Sequence, residues 1–409
     1  MKKRRAFNWL FRLVLFILIL VFGAIGALAI DESDTLAAVD LSKASVQTLT
    51  MAHHPQMARL YLAFTGGPQP AGLARSDDGG RSWQIIGAGP GAPISALAPH
   101  PKNADWLYAA SNRSEADMNG GLWFSENGGQ SWHRFLIGLP LGVDGLAPNV
   151  TALALDPSRP QLLYVGTQGQ GAYRFGVGAD YLECVLIGGA ATSGSYVNKI
   201  VVDHTGQAYI LTTEGLFMVA GEDWRLVDTL PDLAASLAVD PVDPQILYAG
   251  TVGYGAYRST DGGQTWQTIN AGLGWQPGVI LRVSSITIDE DDPQHLALAT
   301  AFGIGSHLAG GGIYETRNSG QRWTKVAESD QVIDELILAK GSIYAATEHG
   351  PLRYGEPLPP VSPLSNFSLR SLSHLSGIQV LILVMTLALA GLVLVGRLDP
   401  MPPHHRGSA

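Results

Sequence analysis

A hydroxyl residue, an acid or amide, a glycine and a tryptophan recur at one spacing in four short stretches of the chain. The pattern S/T-x-D/N-x-G-x-x-W is formed by Ser76, Asp78, Gly80 and Trp83; by Ser125, Asn127, Gly129 and Trp132; by Ser259, Asp261, Gly263 and Trp266; and by Thr316, Asn318, Gly320 and Trp323. A serine beside an aspartate could belong to a catalytic site or to a turn. A catalytic site rarely needs four copies, so the repetition favours the turn.

Each residue of this motif has a role in closing a turn between two strands. The acid or amide side chain can accept hydrogen bonds from backbone N–H groups about two residues on, and the hydroxyl supports it. The glycine suits a backbone position with positive φ, and the tryptophan packs at the start of the next strand. Asn127 and Asn318 replace the aspartate in two copies. Because an amide can close a turn but cannot act as a catalytic carboxylate, we interpret the motif as structural.

The motif resembles the Asp-box, or BNR repeat, which occurs in sialidases, propeller glucanases, the sortilin ectodomain and the photosystem II assembly and stability factor. The resemblance rests on the sixteen residues named above and on the phrase that precedes each copy. It implies a β-propeller, in which the motif closes the turn between the third and fourth strands of a blade. It implies no single activity, because these families include both enzymes and binding proteins.

Internal repeats extend well beyond the motif. "VTALALDPSRPQLLYVGTQGQGAYRF", from Val150, matches "AASLAVDPVDPQILYAGTVGYGAYRS", from Ala234, almost throughout. The position of the aromatic residue in the "LY" phrase recurs seven times from Tyr61 to Tyr344, with Ala297 in the sixth copy, at a mean spacing of about 47 residues. Each copy contains four short apolar or alternating segments separated by Asp-Pro, Gly-Thr or Gly-Gly turn signals. The sequence therefore predicts an all-β fold, a single seven-bladed β-propeller.

The predicted propeller occupies residues 34–356. Its blades are expected near residues 46–86, 94–135, 150–187, 197–229, 234–269, 283–326 and 332–356. The last copy stops after its third strand, and we expect residues 35–42 to supply the missing one, which would remove an exposed sheet edge. A linker rich in proline and serine is expected over residues 357–377.

The two ends of the chain carry long uncharged segments. Basic residues from Lys2 to Arg5, together with Arg12, precede an uncharged run over residues 13–30, which fits a signal peptide cleaved after Ala29 or a retained anchor equally well. Residues 378–396 form an uncharged run of nineteen residues, interpreted as a transmembrane helix before a tail at 397–409. By the positive-inside rule, both ends face the cytoplasm and the propeller lies outside it at the cell membrane.

Composition excludes several classes of partner and site. The segment between the two apolar runs contains 19 basic and 34 acidic residues, a net charge of about −15, which argues against nucleic acid and anionic lipid headgroups. Cys184 is the only cysteine, so there is no intrachain disulfide. The histidines lack metal-ligand spacing. We expect no metal and no cofactor.

Binding residues are expected on the face opposite the motif turns. The connections on that face are longer and more irregular than the motif turns, especially over residues 111–121, 138–149, 270–282 and 301–312. The candidates on or beside them are Arg113, Glu115, Asp117, Asp144, Tyr254, Trp275, Arg282 and His307. Trp275 could be a binding platform, cap the central channel or fold onto its own loop. Glu115 with Asp117 could be a carboxylate pair or two solvated acids.

Two functions remain open at the level of sequence. A sialidase needs three converging arginines and an Arg-Ile-Pro signature; that tripeptide is absent, and Arg75, Arg174 and Arg258 occupy one repeat position before the motif turn. A propeller glucanase places its carboxylates between two propellers, whereas this chain has residues for one. We therefore expect a non-catalytic, membrane-tethered scaffold that binds a protein, a membrane complex or a glycan. A glycoside hydrolase of the sialidase or propeller-glucanase type is the alternative.

Overall fold

The computed structural model describes most of the predicted propeller. The described residues are 40–52, 59–68, 71–86, 93–112, 121–135, 139, 141, 145–146, 148–176, 184–187, 194–220, 223–274, 279–304 and 307–355. No helix within these ranges is long and apolar enough to cross a membrane. The predicted signal or anchor at 1–30, the linker, the transmembrane segment at 378–396 and the tail lie outside the described residues.

The described residues form seven antiparallel sheets, each in simple up-and-down order. The first three sheets are β1 (Ala44–Ala52), β2 (Arg59–Gly66), β3 (Ala71–Ser76) and β4 (Gln84–Ile85); β5 (Ile94–His100), β6 (Asn103–Ser111), β7 (Gly121–Ser125) and β8 (His133–Phe135); and β9 (Val150–Leu155), β10 (Leu162–Thr167), β11 (Ala172–Gly176) and β12 (Cys184–Ile187).

The remaining four sheets continue the same order. They are β13 (Val197–Val202), β14 (Ala208–Thr212), β15 (Gly215–Ala220) and β16 (Asp223–Leu226); β17 (Ala234–Val239), β18 (Leu247–Thr251), β19 (Ala256–Ser259) and β20 (Gln267–Thr268); β21 (Ile280–Ile288), β22 (Leu296–Ile304), β23 (His307–Thr316) and β24 (Thr324–Ala327); and the three-stranded β25 (Glu335–Ala339), β26 (Ser342–Thr347) and β27 (Gly350–Tyr354).

The core lies between neighbouring sheets. The second strands β14 and β18 are buried along their whole length, because they are covered on both faces. A strand with two covered faces needs a continuous apolar run, and the repeated "LY" phrase supplies one. Gly166, in β10, permits the close approach, since a β-carbon there would lie 2.4 Å from a side-chain carbon of Val197 in the next sheet.

The sheets close into a ring. The first strands contact one another from sheet to sheet, in the order β1, β5, β9, β13, β17, β21 and β25, and β25 contacts β1 again. The first strand of each sheet is therefore the innermost. This arrangement confirms the predicted all-β, seven-bladed propeller.

The seventh sheet has three described strands. Leu41 is buried against Tyr344 and Ala346, and its carbonyl oxygen would lie 2.5 Å from a β-carbon at Gly350, the first residue of β27. The chain that leads into β1 thus passes the start of β27. Of residues 35–42 only 40–42 are described, so their role as a fourth strand stays a prediction.

One stretch expected to be an irregular loop, residues 301–312, is largely strand in its described residues, and this expectation was wrong for it. Residues 301–304 and 307–312 extend the hairpin of β22 and β23, which pair as far as Ile304 and His307. A bulge leaves Gly311 unpaired, and a β-carbon there would lie 2.4 Å from the Thr300 hydroxyl, so glycine allows the strands to stay close. Arg282, expected on a loop, lies within β21.

Candidate functional site

The two ends of the ring carry different kinds of connection. Inner strands begin at one end, which we call the loop face; it carries the connections from second to third strand and from sheet to sheet. The opposite end, the turn face, carries the connections from first to second strand and the motif turns. Of the residues predicted to bind a partner, Tyr254, Arg282 and His307 are described, and they lie at the loop-face ends of their elements.

A recurring bulge shapes the mouth of the channel on the loop face. In six inner strands the ladder skips one residue near the start of the strand; these residues are Gln47, Ser95, Thr151, Asn198, Ala235 and Ser284. A bulge turns consecutive side chains to one side of a strand. The bulge residues line a cavity of about 510 Å³ at the centre of the loop face, together with the residue that follows the bulge in the first four sheets.

Hydroxyl groups at the bulge join neighbouring sheets. The Oγ of Ser95 donates to the carbonyl of Val150 at 2.6 Å, and Oγ1 of Thr151 donates to the carbonyl of Val197 at 2.6 Å. Ser284 makes the same bond, at 2.6 Å, to a carbonyl at the start of the seventh sheet. These donors are used within the ring and are poor candidates for binding a ligand.

Glu335 joins the last sheet to the first. Its Oε2 accepts the backbone N–H of Leu49 at 2.8 Å and the hydroxyl of Thr48 at 3.1 Å. Ser285, at the equivalent place in the sixth sheet, accepts the N–H of Leu336 at 3.0 Å. Glu335 therefore lines the cavity, but its carboxylate is engaged at the seam, the contact between the seventh and first sheets. It is a poor candidate for a free catalytic acid.

Two cationic side chains in the cavity lining have no hydrogen bond or ion pair within the described residues. Lys199 directly follows the bulge residue Asn198 in β13. Arg282 lies two residues before the bulge residue Ser284 in β21. The Nε of Arg282 is buried and has no hydrogen-bond partner among the described residues. A guanidinium with an unused buried donor is suited to a carboxylate or another oxyanion.

Exposed apolar side chains collect beside this cavity on the fifth and sixth sheets. We call them the apolar rim: Leu233, Val252, Tyr254, Val279, Ile280 and Leu308, whose exposed fractions lie between 36% and 57%. The backbone makes them neighbours, since Val252 N–H donates to the Leu233 carbonyl at 3.0 Å and Ile280 and Leu308 both pair with Gly303. The rim is thus one continuous feature.

The structure brings two of the predicted binding residues together. Tyr254 forms a parallel bridge with Leu281, the residue before Arg282, and hydrogen bonds of 2.9 Å flank it on both sides. His307 begins β23 on the same face, although only its backbone is described. Arg113, Glu115, Asp117, Asp144 and Trp275 lie outside the described residues.

Lys199 was not among the residues predicted from the sequence. It lies inside a strand, whereas the residues predicted from the sequence were expected on loops. A signal did exist, because the six equivalent positions in the other repeats are uncharged or acidic: Thr48, Ala96, Ala152, Ser236, Ser285 and Glu335. A single cation at an inward position of a repeat is recognisable once the bulge register is known.

The turn face has a second cavity, of about 640 Å³, surrounded by the turns between first and second strands. Buried aspartates at the start of these turns cap them: Asp156, Asp203, Asp240 and Asp289. Burial alone would raise the pKa of Asp156, but hydrogen bonds from Ser158 and Arg159 outweigh it and leave that pKa below its usual range. The sequence showed Asp156 and Asp240 as strand-ending Asp-Pro signals, whereas Asp203 and Asp289 are not followed by proline.

The motif turns lie on the same face and share one set of hydrogen bonds. Oδ1 of Asp261 accepts the N–H groups of Gln264 at 3.0 Å and Thr265 at 2.9 Å, three and four residues on. The Ser259 hydroxyl accepts the N–H of Gly263 at 2.8 Å and donates to Asp261. Oδ2 of Asp261 accepts the hydroxyl of Thr265 at 2.6 Å, so both carboxylate oxygens are engaged inside the turn.

The described residues contain no group of three or more His, Cys, Asp or Glu side chains that could hold a metal ion. The strand-bound arginines do not converge either. Arg75 pairs with Asp77 at 2.9 Å, and Arg258 lies over the ring of Tyr248, 5.7 Å from its centroid. A triad that grips a sugar carboxylate is therefore not formed by these residues.

Comparison with known sequences gives distant similarity. No family model matches the chain. It is 23% identical to the oligoxyloglucan-reducing end-specific xyloglucanase of Emericella nidulans over 222 residues. The aligned part covers 54% of this chain and 22% of that enzyme. The chain thus spans about a fifth of the length of the curated relatives it matches.

Solved structures share the fold. An ancestral GH74 enzyme superposes with a TM-score of 0.56 and 16% identity, covering 79% of this chain and 46% of that one. A structure of YCF48 bound to a D1 peptide superposes with a TM-score of 0.55 and 13% identity, covering 77% of this chain and 95% of that one. At these identities the likeness concerns the propeller fold alone.

Proposed function

We propose that this protein is a membrane-tethered, extracytoplasmic propeller that acts as a non-catalytic scaffold and binds a segment of a protein partner on its loop face. The observation that carries the proposal is the apolar rim. Exposed apolar side chains that form a continuous patch on a soluble fold mark an interaction surface, whereas isolated ones are ordinary. Six such residues lie on two neighbouring sheets, at positions that backbone pairing brings near one another.

The turn face supports this choice by contrast. Val242 is 72% exposed there, but it stands on a turn between two prolines and has no apolar neighbour of similar exposure in the described part of that turn. The motif turns and the aspartate-capped turns use their polar groups internally. In the described residues, the loop face is where a group of exposed apolar side chains lies beside cations that line a cavity.

The YCF48 structure offers a parallel from the same fold. That protein is bound to a D1 peptide, so a single seven-bladed ring of this size can hold a polypeptide segment. The parallel concerns the capacity of the fold. It does not transfer the peptide or the binding residues to this chain.

Glycoside hydrolysis is the second candidate function, and the similarity to the xyloglucanase favours it. Such chemistry needs two carboxylates that face each other across a sugar. Among the described residues of the loop-face cavity, Asp334 and Glu335 are the carboxylates, and Glu335 serves the seam. Incubation with xyloglucan oligosaccharides and analysis of reducing ends tests this function directly, and measurable turnover would replace the scaffold proposal.

The scaffold proposal is tested with the purified full chain as bait on detergent-solubilised membranes. Tyr254→Ala removes a rim residue that is 57% exposed, and Val242→Ala removes a 72% exposed apolar residue from the other face. We expect the first change to weaken capture roughly tenfold, as loss of an aromatic contact does, and the second to leave it unchanged. Equal effects of both changes, or loss with Val242→Ala alone, would assign binding elsewhere.

Trp275 remains a prediction for the same face. If it is a contact residue, Trp275→Ala weakens capture while thermal unfolding stays nearly unchanged. If it caps the channel, the same change lowers the unfolding temperature and capture follows stability. Measuring both properties on one preparation separates the two roles.

A further inference from the structure

We propose that the loop-face cavity binds a carboxylate of the partner, supplied by an acidic side chain or a chain end, between Lys199 and Arg282. The inference rests on the proposed function and adds to it the chemistry that the partner must present. A carboxylate recognised at the centre, with apolar residues on the rim, defines the class of peptide that fits this face.

Arg282 presents a buried hydrogen-bond donor at the cavity. It extends from β21 into the cavity lining, and no hydrogen bond or ion pair holds it within the described part of the chain. Its Nε is shielded from solvent and has no partner among the described residues. An unsatisfied buried donor costs free energy, and a ligand oxygen that accepts its hydrogen bond would recover it. Arginine binds carboxylates in a two-pronged geometry that uses such a donor.

Lys199 places a cation at a position that is uncharged or acidic in the other six inner strands. Every inner strand has an equivalent position, directly after the bulge in six of them, and β13 alone places a cation there. Ser285 and Glu335 use this position to accept an N–H of the next strand, which an ammonium group cannot do. Lys199 therefore does not accept a hydrogen bond from the neighbouring inner strand. Instead it places a positive charge at the cavity on the fourth sheet.

The fifth sheet separates these two cations and leaves room between them. Ala235 occupies its bulge, where other sheets carry Gln47, Thr151 or Asn198. A small side chain at this position leaves space for a ligand group that both cations could approach from either side.

The acids in the same lining define the balance of charge. Glu335 is engaged by Leu49 and Thr48, while Asp334 is exposed and has no hydrogen bond or ion pair within the described residues. Asp334 stands on the seventh sheet, beyond the sixth sheet that carries Arg282. Its negative charge repels an anion and so lowers the affinity of the cavity for one. Anions that make few other contacts would therefore be excluded. Its removal should therefore strengthen binding, a sign opposite to that of the two cations.

The rim supplies the apolar part of the specificity. Leu233 and Val252 belong both to the rim and to the cavity lining, so a chain segment on the rim reaches the cavity without a gap. A bound segment would then present apolar residues next to one carboxylate. Free phosphate would satisfy the cations but leave the rim uncovered.

The test is affinity selection of synthetic random peptides on the purified full chain, with mass-spectrometric identification of the bound fraction. One library has free C-termini and the other has amidated ones, which separates a chain-end carboxylate from an acidic side chain. We expect selected peptides to combine apolar residues with Asp, Glu or a free C-terminus. Affinity of the selected peptides, measured by calorimetry, should fall tenfold or more with Lys199→Met plus Arg282→Met and rise with Asp334→Asn.

Several outcomes overturn the proposal. Selected peptides without a carboxylate requirement, or peptides that bind the Lys199→Met plus Arg282→Met variant as tightly as the original chain, remove its basis. An empty selection does so as well, and so does phosphate binding that depends on the two cations without any peptide being enriched. Thermal unfolding of each variant confirms that it is folded. Partner capture that still depends on Tyr254 would leave the scaffold proposal standing in all these cases.

Discussion

Asp261 shows how one side chain in a motif turn contributes to stability. Hydrogen bonds from the hydroxyl and N–H of Thr265, and from Ser259, lower the pKa of Asp261 to about 2. The folded pKa is thus below the unfolded value of about 3.9. The stabilisation is complete above the unfolded pKa and is lost as the pH falls through the folded one. We expect the gap in unfolding midpoint between the original chain and Asp261→Asn to shrink between pH 5 and pH 2.5 in urea titrations.

The copy that already contains an amide offers a reciprocal control. Asn127 makes the same turn contact, its Oδ1 accepting the N–H of Ser131 at 2.9 Å. Asn127→Asp should introduce an additional pH dependence of the same sign, because it places an ionisable acceptor where the turn donors converge. A gap for Asp261→Asn that stays constant over this pH range would contradict the role assigned to the carboxylate.

Ser319 is a residue of a motif turn whose backbone conformation is unfavourable in free energy. Its φ is 56°, whereas the three equivalent residues are glycines with φ between 67° and 72°: Gly79, Gly128 and Gly262. A non-glycine residue in the left-handed region is disfavoured, although glycine loses more freedom on folding. We expect Ser319→Gly to stabilise the fold by roughly 0.5 kcal/mol, measured by urea unfolding. Gly262→Ser, the reverse change, should destabilise it; a gain there would refute the explanation.

At the scale of elements, the seam between β25 and β1 depends on one carboxylate. Glu335→Ala leaves the N–H of Leu49 and the hydroxyl of Thr48 without their acceptor. We expect a loss of about 1–3 kcal/mol in the free energy of unfolding, the cost of unpaired groups that are partly buried. Glu335→Gln keeps an acceptor oxygen and should cost less.

Asp334→Asn serves as the neighbouring control for the seam, since Asp334 is exposed and makes no bond across it within the described residues. Its unfolding midpoint should match that of the original chain. If Glu335→Ala unfolds at the same urea concentration as Asp334→Asn, closure of the ring does not depend on this contact.

At the scale of the whole molecule, the proposed function requires the propeller to lie outside the cytoplasm. The basic residues before one apolar run and after the other motivate this placement, through Lys2 to Arg5 and through Arg397 with Arg406. Protease added to intact cells or spheroplasts should therefore cleave the propeller, with a cytoplasmic protein as the protected control. Cleavage that occurs only after lysis would reverse the topology.

The repeat architecture followed from the sequence because its signals are local. The "LY" phrase, the Asp-Pro and Gly-Gly turns and the motif residues each act within a few positions of the chain, so seven copies predicted seven sheets before any contact between them was known. Local signals also separated Asp261 from catalysis, since Asn127 and Asn318 take the same place.

The cavity and its rim were decided by the tertiary structure alone. Lys199 and Arg282 are 83 positions apart in the chain, and only the ring places both at one mouth of the channel. The bulge that turns Lys199 inward depends on the register with β14, and the rim depends on pairing between the connection at Tyr254 and the start of β21. Register and ring closure are set by contacts between distant segments, and no local pattern records which residues will meet there.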